Sequence, residues 1–589
     1  MMDPTFFRFR QSLKSTFLIL VLFWAVCPCA PSSAETTNAS AAVDAAPSAD
    51  KSFYNVRAFG ATGDEKTLDS PAINKAIEAC ARAGGGTVYF PAGTYASYSI
   101  HLKSNVALYL DYGATILAAD PPAAGVEGGY DAPEPNAWDK YQDFGHTHWH
   151  NSLIWGEGLE NVSILGPGRI FGKGLSRGQG RIAPPPGELV STNAMRRGGR
   201  GAGGGLGGMY TNEIAGTPDR PFGYPNPRDS LAAGIGNKAI ALKNCRNVTL
   251  RDFTIFHGGH FAVLATGVDN FTVDNLKIDT NRDGIDLDCC RNTTVSNCRI
   301  NSPADDALCP KSSYGLGEAR ITENLTIVNC QVSGFEEGTL LDGRMLPSRG
   351  KTGRIKFGTE SSGGFRNVTV ANCTFRNCRG LALEEVDGGI LENINISDIT
   401  MMDVAQYPIY IRLGSRNRGP EGTKVQALRN VFISNVIATG IEPMSGIQIM
   451  GIPGHPVEGV RLQNIRLQFK GGGTKQDAAR VPPELERGYP EPSRWGVMPA
   501  YGLFARHVRD LELADIRFEF EKDDLRPAIV CMDVDGIEID HLNAEVVKGV
   551  PAARFDGVDG LVIRNSPVLD GLAVHRRLRS NAPAATNRR

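Results

Sequence analysis

Asn247-Val-Thr-Leu-Arg-Asp252, Asn270-Phe-Thr-Val-Asp-Asn275, Asn292-Thr-Thr-Val-Ser-Asn297, Asn324-Leu-Thr-Ile-Val-Asn329 and Asn367-Val-Thr-Val-Ala-Asn372 are copies of one phrase. Weaker copies begin at Asn161, Asn393, Asn430, Gly459, Asp510, Gly536 and Gly560. From Asn247 to Asn430 the starts are 23, 22, 32, 43, 26 and 37 residues apart, a short step enlarged by loops. Within each copy apolar and polar residues alternate, which is the period of a strand. Five positions after successive starts stand Asp252, Asn275, Asn297, Asn329, Asn372, Asp398 and Asn435; one further on stand Phe253, Leu276, Cys298, Cys330, Cys373, Ile399 and Val436. The first column predicts a turn whose amides hydrogen-bond along a stack, and the second predicts a core row. The expected architecture is all-β: a single-stranded right-handed parallel β-helix of roughly a dozen coils, about 4.8 Å apart, with long loops on one side.

This repeat overrides the prior from length. A chain of 589 residues would suggest about four globules of ~150 residues each, whereas stacked coils share one core. With 62 basic and 64 acidic residues the chain is no disordered polyanion, and nothing in its net charge attracts nucleic acid. Its 68 glycines exceed the usual ~7%, yet they follow no Gly-X-Y period, and many fall between Arg196 and Gly208.

Arg8, Arg10 and Lys14, the apolar run from Thr16 to Cys27 and the small residues Ser32-Ser33-Ala34 predict a signal peptide over 1–34, cleaved near Ala34. The apolar run is shorter than the ~20 residues a membrane span needs, so a secreted or periplasmic protein without a stable anchor is expected. Residues 35–51 read as a leader, 52–575 as the β-helix and 576–589 as a tail, with loop insertions at 119–144, 176–229 and 471–495. The cysteines in core columns predict buried thiols, with a Cys373–Cys378 pairing left open, and no cysteine spacing resembles a zinc site.

The coil register also predicts where chemistry sits. Thirteen residues after four successive starts come His260, Asp283, Asp305 and Glu337, with Asp286 and Asp306 close by. Like charges on adjacent strands destabilise a sheet, so collecting them calls for a functional reason. One carboxyl kept protonated beside others kept ionised is what glycosidic hydrolysis requires. His146, His148 and His150 alternate and predict one strand face; His148 and His150 are expected to line a sugar cleft beside Trp149.

Several motifs, in order, carry a family resemblance. Tyr54-Asn-Val-Arg-Ala-Phe-Gly-Ala-Thr-Gly-Asp64 and Gly84-Gly-Gly-Thr-Val-Tyr-Phe-Pro-Ala-Gly93 look like the opening coil of pectin-degrading β-helices. Asn281-Arg-Asp-Gly-Ile-Asp286, Ala304-Asp-Asp306, Lys311-Ser312 and Phe357-Gly-Thr-Glu-Ser-Ser-Gly-Gly364 follow. Over roughly residues 52–570 the chain resembles family 28 glycoside hydrolases, the polygalacturonase family. The resemblance implies Asp305 as general acid, Asp283 and Asp306 as the pair holding and deprotonating water, and inversion at the anomeric carbon, with no cofactor. Asp286, His260, Lys311, Glu337, Glu360 and Glu384 are then expected to touch substrate.

Two departures bear on the substrate. Thr352-Gly353-Arg354 replaces the family's Gly-His-Gly, and Ala382-Leu383-Glu384 replaces its Arg-Ile-Lys. Arg354-Ile355-Lys356 spells that tripeptide one coil early and reads as coincidence. Without a bidentate partner for a uronate, plain homogalacturonan is not the expected substrate. The expectation is a monomeric, exported hydrolase of a pectin-like polysaccharide, exo-acting if the loops close one end of the cleft. A polysaccharide lyase of the same fold and a non-catalytic carbohydrate-binding β-helix are the competing readings.

Overall fold

The computed structural model describes residues 52–123, 126–142, 146–176, 232–444 and 446–572. The expected signal peptide, leader and tail, and all but the first residue of the 176–229 loop, lie outside these.

Strand registers place every repeat start opposite the next, from Asn161 through Asn247, Asn270, Asn292, Asn324, Asn367, Asn393, Asn430, Gly459, Asp510 and Gly536 to Gly560. All twelve have φ between +53° and +79°, the left-handed region, which explains why the position accepts Asn, Asp or Gly and nothing bulkier. Their amides form a ladder: Asn247 Nδ2 donates to Asn161 Oδ1 at 3.0 Å, Asn270 to Asn247 at 3.0 Å and Asn324 to Asn292 at 3.0 Å. The second polar column is also left-handed and forms its own ladder, as in Asn275 to Asp252 at 2.9 Å and Asn435 to Asp398 at 3.0 Å. The strands pair in parallel, and the neighbouring core column from Phe253 to Val436 is buried as expected. Cys298, Cys330 and Cys373 are free thiols within it, and Cys378 is free as well.

At the N-terminal end the helix Ser70–Arg82 turns Ile73, Ala76, Ile77 and Cys80 onto the first coil. No helix among the described residues is long and apolar enough to cross a membrane.

A second, six-stranded sheet carries the site. It runs Ile100–His101, Ile154–Glu157, Lys238–Lys243, Phe261–Thr266, Asp283–Asp288 and Leu308–Lys311, each strand parallel to the next. One register column on it reads His101, Trp155, Ala241, Leu264, Asp286, Cys309.

Candidate active site

Asp283 opens the Asp283–Asp288 strand, and Asp305 and Asp306 lie in the turn entering Leu308–Lys311, one coil on. Carboxylate oxygens of Asp283, Asp305 and Asp306 all lie within 4.8 Å of one another. Their surroundings differ. Asp306 is buried; Arg354 Nε donates to its Oδ1 at 2.6 Å, and Lys356 Nζ lies 3.2 Å from Oδ2. Burial opposes its charge, but Arg354, Lys356 and Lys311 outweigh burial and hold the Asp306 carboxyl well below the usual range. Asp283 lies 3.9 Å from His260. Burial, then the charges of Asp305 and Asp286, push it well above the usual range. Asp305 is the most open of the three, 26% exposed, and accepts Arg282 at 2.7 Å.

The flanking residues complete a dense ionic cluster. Asp286 is fully buried, and neither Oδ atom has a hydrogen-bond partner among the described residues; its nearest charges are Lys311 Nζ at 3.7 Å and His146 Nε2 at 3.8 Å. Burial is the main reason its carboxyl is pushed well up. Burial works against a charge on Lys311 too, yet Cys309, Glu360 and Asp286 keep it firmly protonated, with Glu360 Oε2 at 3.1 Å. His260 lies 3.9 Å from Asp283 and is kept neutral, first by burial and then by Arg282. Glu384 lies 3.9 Å from Lys356; burial raises it to about 7 against the pull of Lys356 and Arg354.

Two groups have donor atoms close enough to hold a cation: His146 with Asp283 and Asp286, and the three aspartates themselves. Lys311, Arg282, Arg354 and Lys356 already balance these acids.

The structure brings Asp283, Asp286, Asp305, Asp306, His260, Lys311, Glu360 and Glu384 together, but not as one register column. Phe261, and not His260, pairs with Asp283, and Leu308 stacks on Ile355. Residue 337 therefore falls in the loop before the next strand, where buried Glu337 hydrogen-bonds His257. The predicted strand face of three histidines is also corrected, because His146–His150 is not a strand. His146 reaches Asp286, His148 is buried with Nδ1 on the Glu134 carbonyl at 2.7 Å, and His150 stacks on Trp155 at 3.9 Å. The Arg354-Ile355-Lys356 tripeptide does lie one coil early, since Lys356 pairs in register with Ala382, and its two cations are the ones that hold Asp306.

Sequence reasoning missed a contribution from the 471–495 insertion. Tyr489 hydroxyl accepts from Thr359 at 3.1 Å, its ring lies 5.8 Å from Lys356 Nζ, and Glu491 pairs with Arg354 at 3.6 Å and Arg379 at 3.0 Å. Nothing periodic marks these residues.

Residues 131–142 and 146–150 pack over the N-terminal side of the cluster. Trp149 is buried against Ala241, Phe261 and Leu264, and its Nε1 donates to Thr266 Oγ1 at 3.0 Å. Asn136 donates to the Gly315 carbonyl at 3.1 Å, and Trp138 meets Tyr314 at 5.3 Å.

Residues 228–345 match the family model of the right-handed β-helix region, and residues 53–128 match that of rhamnogalacturonase A/epimerase, pectate lyase-like. The chain is a right-handed β-helix with polygalacturonase relatives. It is 28% identical over 306 residues to the exo-poly-α-D-galacturonosidase of Dickeya chrysanthemi, 48% of this chain and 45% of that protein. It thus spans about half the length of that curated relative. A probable polygalacturonase of Vitis vinifera is 21% identical over 70% of this chain and 73% of its own. Among solved structures, the family 28 exopolygalacturonase of Yersinia enterocolitica shares the fold, with a TM-score of 0.52 and 18% identity over 88% of this chain and 78% of that one.

Proposed function

We propose that the chain is an exported, monomeric glycoside hydrolase acting on a pectin-like polysaccharide. The observation that carries this is the unequal treatment of three adjacent carboxyls. Asp306 is tied to two cations and stays ionised, which suits it to hold and deprotonate water. Asp283, raised by burial and by the neighbouring acids, holds a proton, and Asp305 beside it is the member open to substrate. On this division Asp305 delivers the proton to the departing oxygen. Asp283 stores that proton rather than sharing the water with Asp306.

Inversion belongs to this proposal. Carboxylate atoms within 4.8 Å are closer than the ~6.5–9.5 Å usual for a two-carboxylate inverting site. Three carboxyls divide the work differently from two: one binds the water while the others handle the proton, so spacing between a single pair does not set the outcome. The cations favour hydrolysis over β-elimination, since Arg354, Lys356 and Lys311 are each committed to carboxylates of the protein. The same commitment favours a substrate with a neutral or substituted sugar at the cleaved position. Trp149, packed on Ala241 and Leu264 in the strands between Asp286 and the N-terminal coils, favours exo action.

Purified protein assayed on pectic polysaccharides, with NMR of the first-formed anomer, tests the reading. Turnover by wild type, loss of at least 10³-fold in Asp305→Asn and an inverted product are expected. An unsaturated, ultraviolet-absorbing product or an active Asp305→Asn variant would overturn it.

A further inference from the structure

Beyond the Trp149 wall, on the same sheet, lies a second cavity of about 590 Å³ lined by His101, Lys103, Asp131, His150, Trp155 and Glu157. Trp155 shares the register column of Asp286, three strands away, so the cavity lies about 14 Å from the acid cluster at ~4.8 Å per strand. Its walls are aromatic. His150 stacks on the Trp155 indole at 3.9 Å, and His101 meets it edge-on at 5.2 Å.

The polar groups are held in place by one another. Asp131 Oδ2 bonds His101 Nε2 at 2.7 Å and accepts from Trp155 Nε1 at 2.8 Å. Glu157 bonds His150 at 2.9 Å and Lys243 at 2.9 Å. The site is open: His101, Asp131 and Glu157 are each more than a third exposed. Fixed aromatic faces with a few convergent carboxylates match the C–H faces and hydroxyls of a pyranose. Asp131 and Glu157 offset Lys103 and Lys243, so the cavity carries no excess of positive charge to recruit a uronate.

We propose that this cavity is a second carbohydrate site, binding a hydroxyl-rich, uncharged pyranose of the polysaccharide on the far side of the wall. It rests on the reading of the chain as a polysaccharide hydrolase. Because Trp149 separates it from the acids, it holds the polymer to the enzyme without positioning the cleaved bond. Two contacts on one polymer strengthen each other through effective concentration, so the site acts on long substrates only.

The experiment compares wild type with Trp155→Ala and His101→Ala on the polysaccharide and on a trisaccharide cut from it, together with affinity electrophoresis in polysaccharide gels. Expected are a KM for the polymer raised at least fivefold, trisaccharide kcat and KM unchanged within twofold, and loss of gel retardation. Unchanged polymer KM and retardation, or equal losses on both substrates, would overturn the site. If Trp155→Ala does not fold, His101→Ala alone decides by the same criteria. Electrophoresis needs no turnover: retardation that depends on Trp155 in a protein that hydrolyses nothing would keep the site and remove the catalytic reading.

Discussion

Arg354 Nε sits 2.6 Å from Asp306 Oδ1, both side chains buried, which ties the ionisation of Asp306 to a residue 48 positions later. Lys356, two residues on, completes the clamp at 3.2 Å. Replacing Lys356 by Met leaves Asp306 buried with less compensation, so its pKa rises. The acid limb of kcat/KM therefore moves to higher pH, by about one unit or more, with the loss of activity confined to acidic pH. A pH–rate profile reads this directly; a limb that stays in place would detach Asp306 from the water-activating role.

Asp283 carries the opposite perturbation. A carboxyl raised on folding adds most to stability below its unfolded pKa, and that contribution is lost as pH rises through the folded value. Asp283→Asn removes the buried ionisation, so the variant should melt several degrees higher at pH 7 while losing activity by about 10³-fold. Calorimetry at pH 4 and pH 7 should show the gain only at the higher pH.

Glu384 is raised from 4.5 to about 7. Its contribution is present below about 4.5 and fades as pH climbs through about 7, so wild-type stability should fall across that window. Glu384→Gln should flatten the fall, as urea unfolding at half-unit pH steps would show.

Asn324 links the ladder in both directions, donating to Asn292 at 3.0 Å and accepting from Asn367 at 3.2 Å, with φ at +58°. Asn324→Ala loses the bonds and strains the backbone, about 2 kcal/mol in all; Asn324→Gly loses the bonds without the strain, about 1 kcal/mol. Denaturant midpoints should rank wild type, Gly, Ala.

Trp149→Ala should open the groove between the acid cluster and Trp155. Products would shift from short chain-end fragments toward internal cleavage, visible as a faster fall in polymer viscosity per bond broken.

The fold was legible because a left-handed turn leaves its mark on composition: Asn161, Asn247 and their successors must be small or amide-bearing, so the coil writes its own period. The acids were legible because Asp283 and Asp286 stand on a strand counted from that turn. Counting failed where the backbone gained a residue, which let Phe261 take the place expected of His260 beside Asp283. It failed again across the loop before Ile355, where Glu337 counted in step yet bonds His257 instead. His146, Tyr489 and Glu491 arrive on loops, and no period announces a loop residue.

The pitch of the stack also sets what growth the molecule tolerates. Asp283 and Asp306 belong to consecutive coils. One extra coil between them would part the carboxyls by about 4.8 Å and abolish their shared work. The same coil inserted between the strands Val457–Phe469 and Leu503–Phe520 would leave the three acids as they are. A protein built this way lengthens freely at its ends and is fixed in register at its centre, so gain and loss of whole coils among its relatives should spare the interval from Asp283 to Lys356.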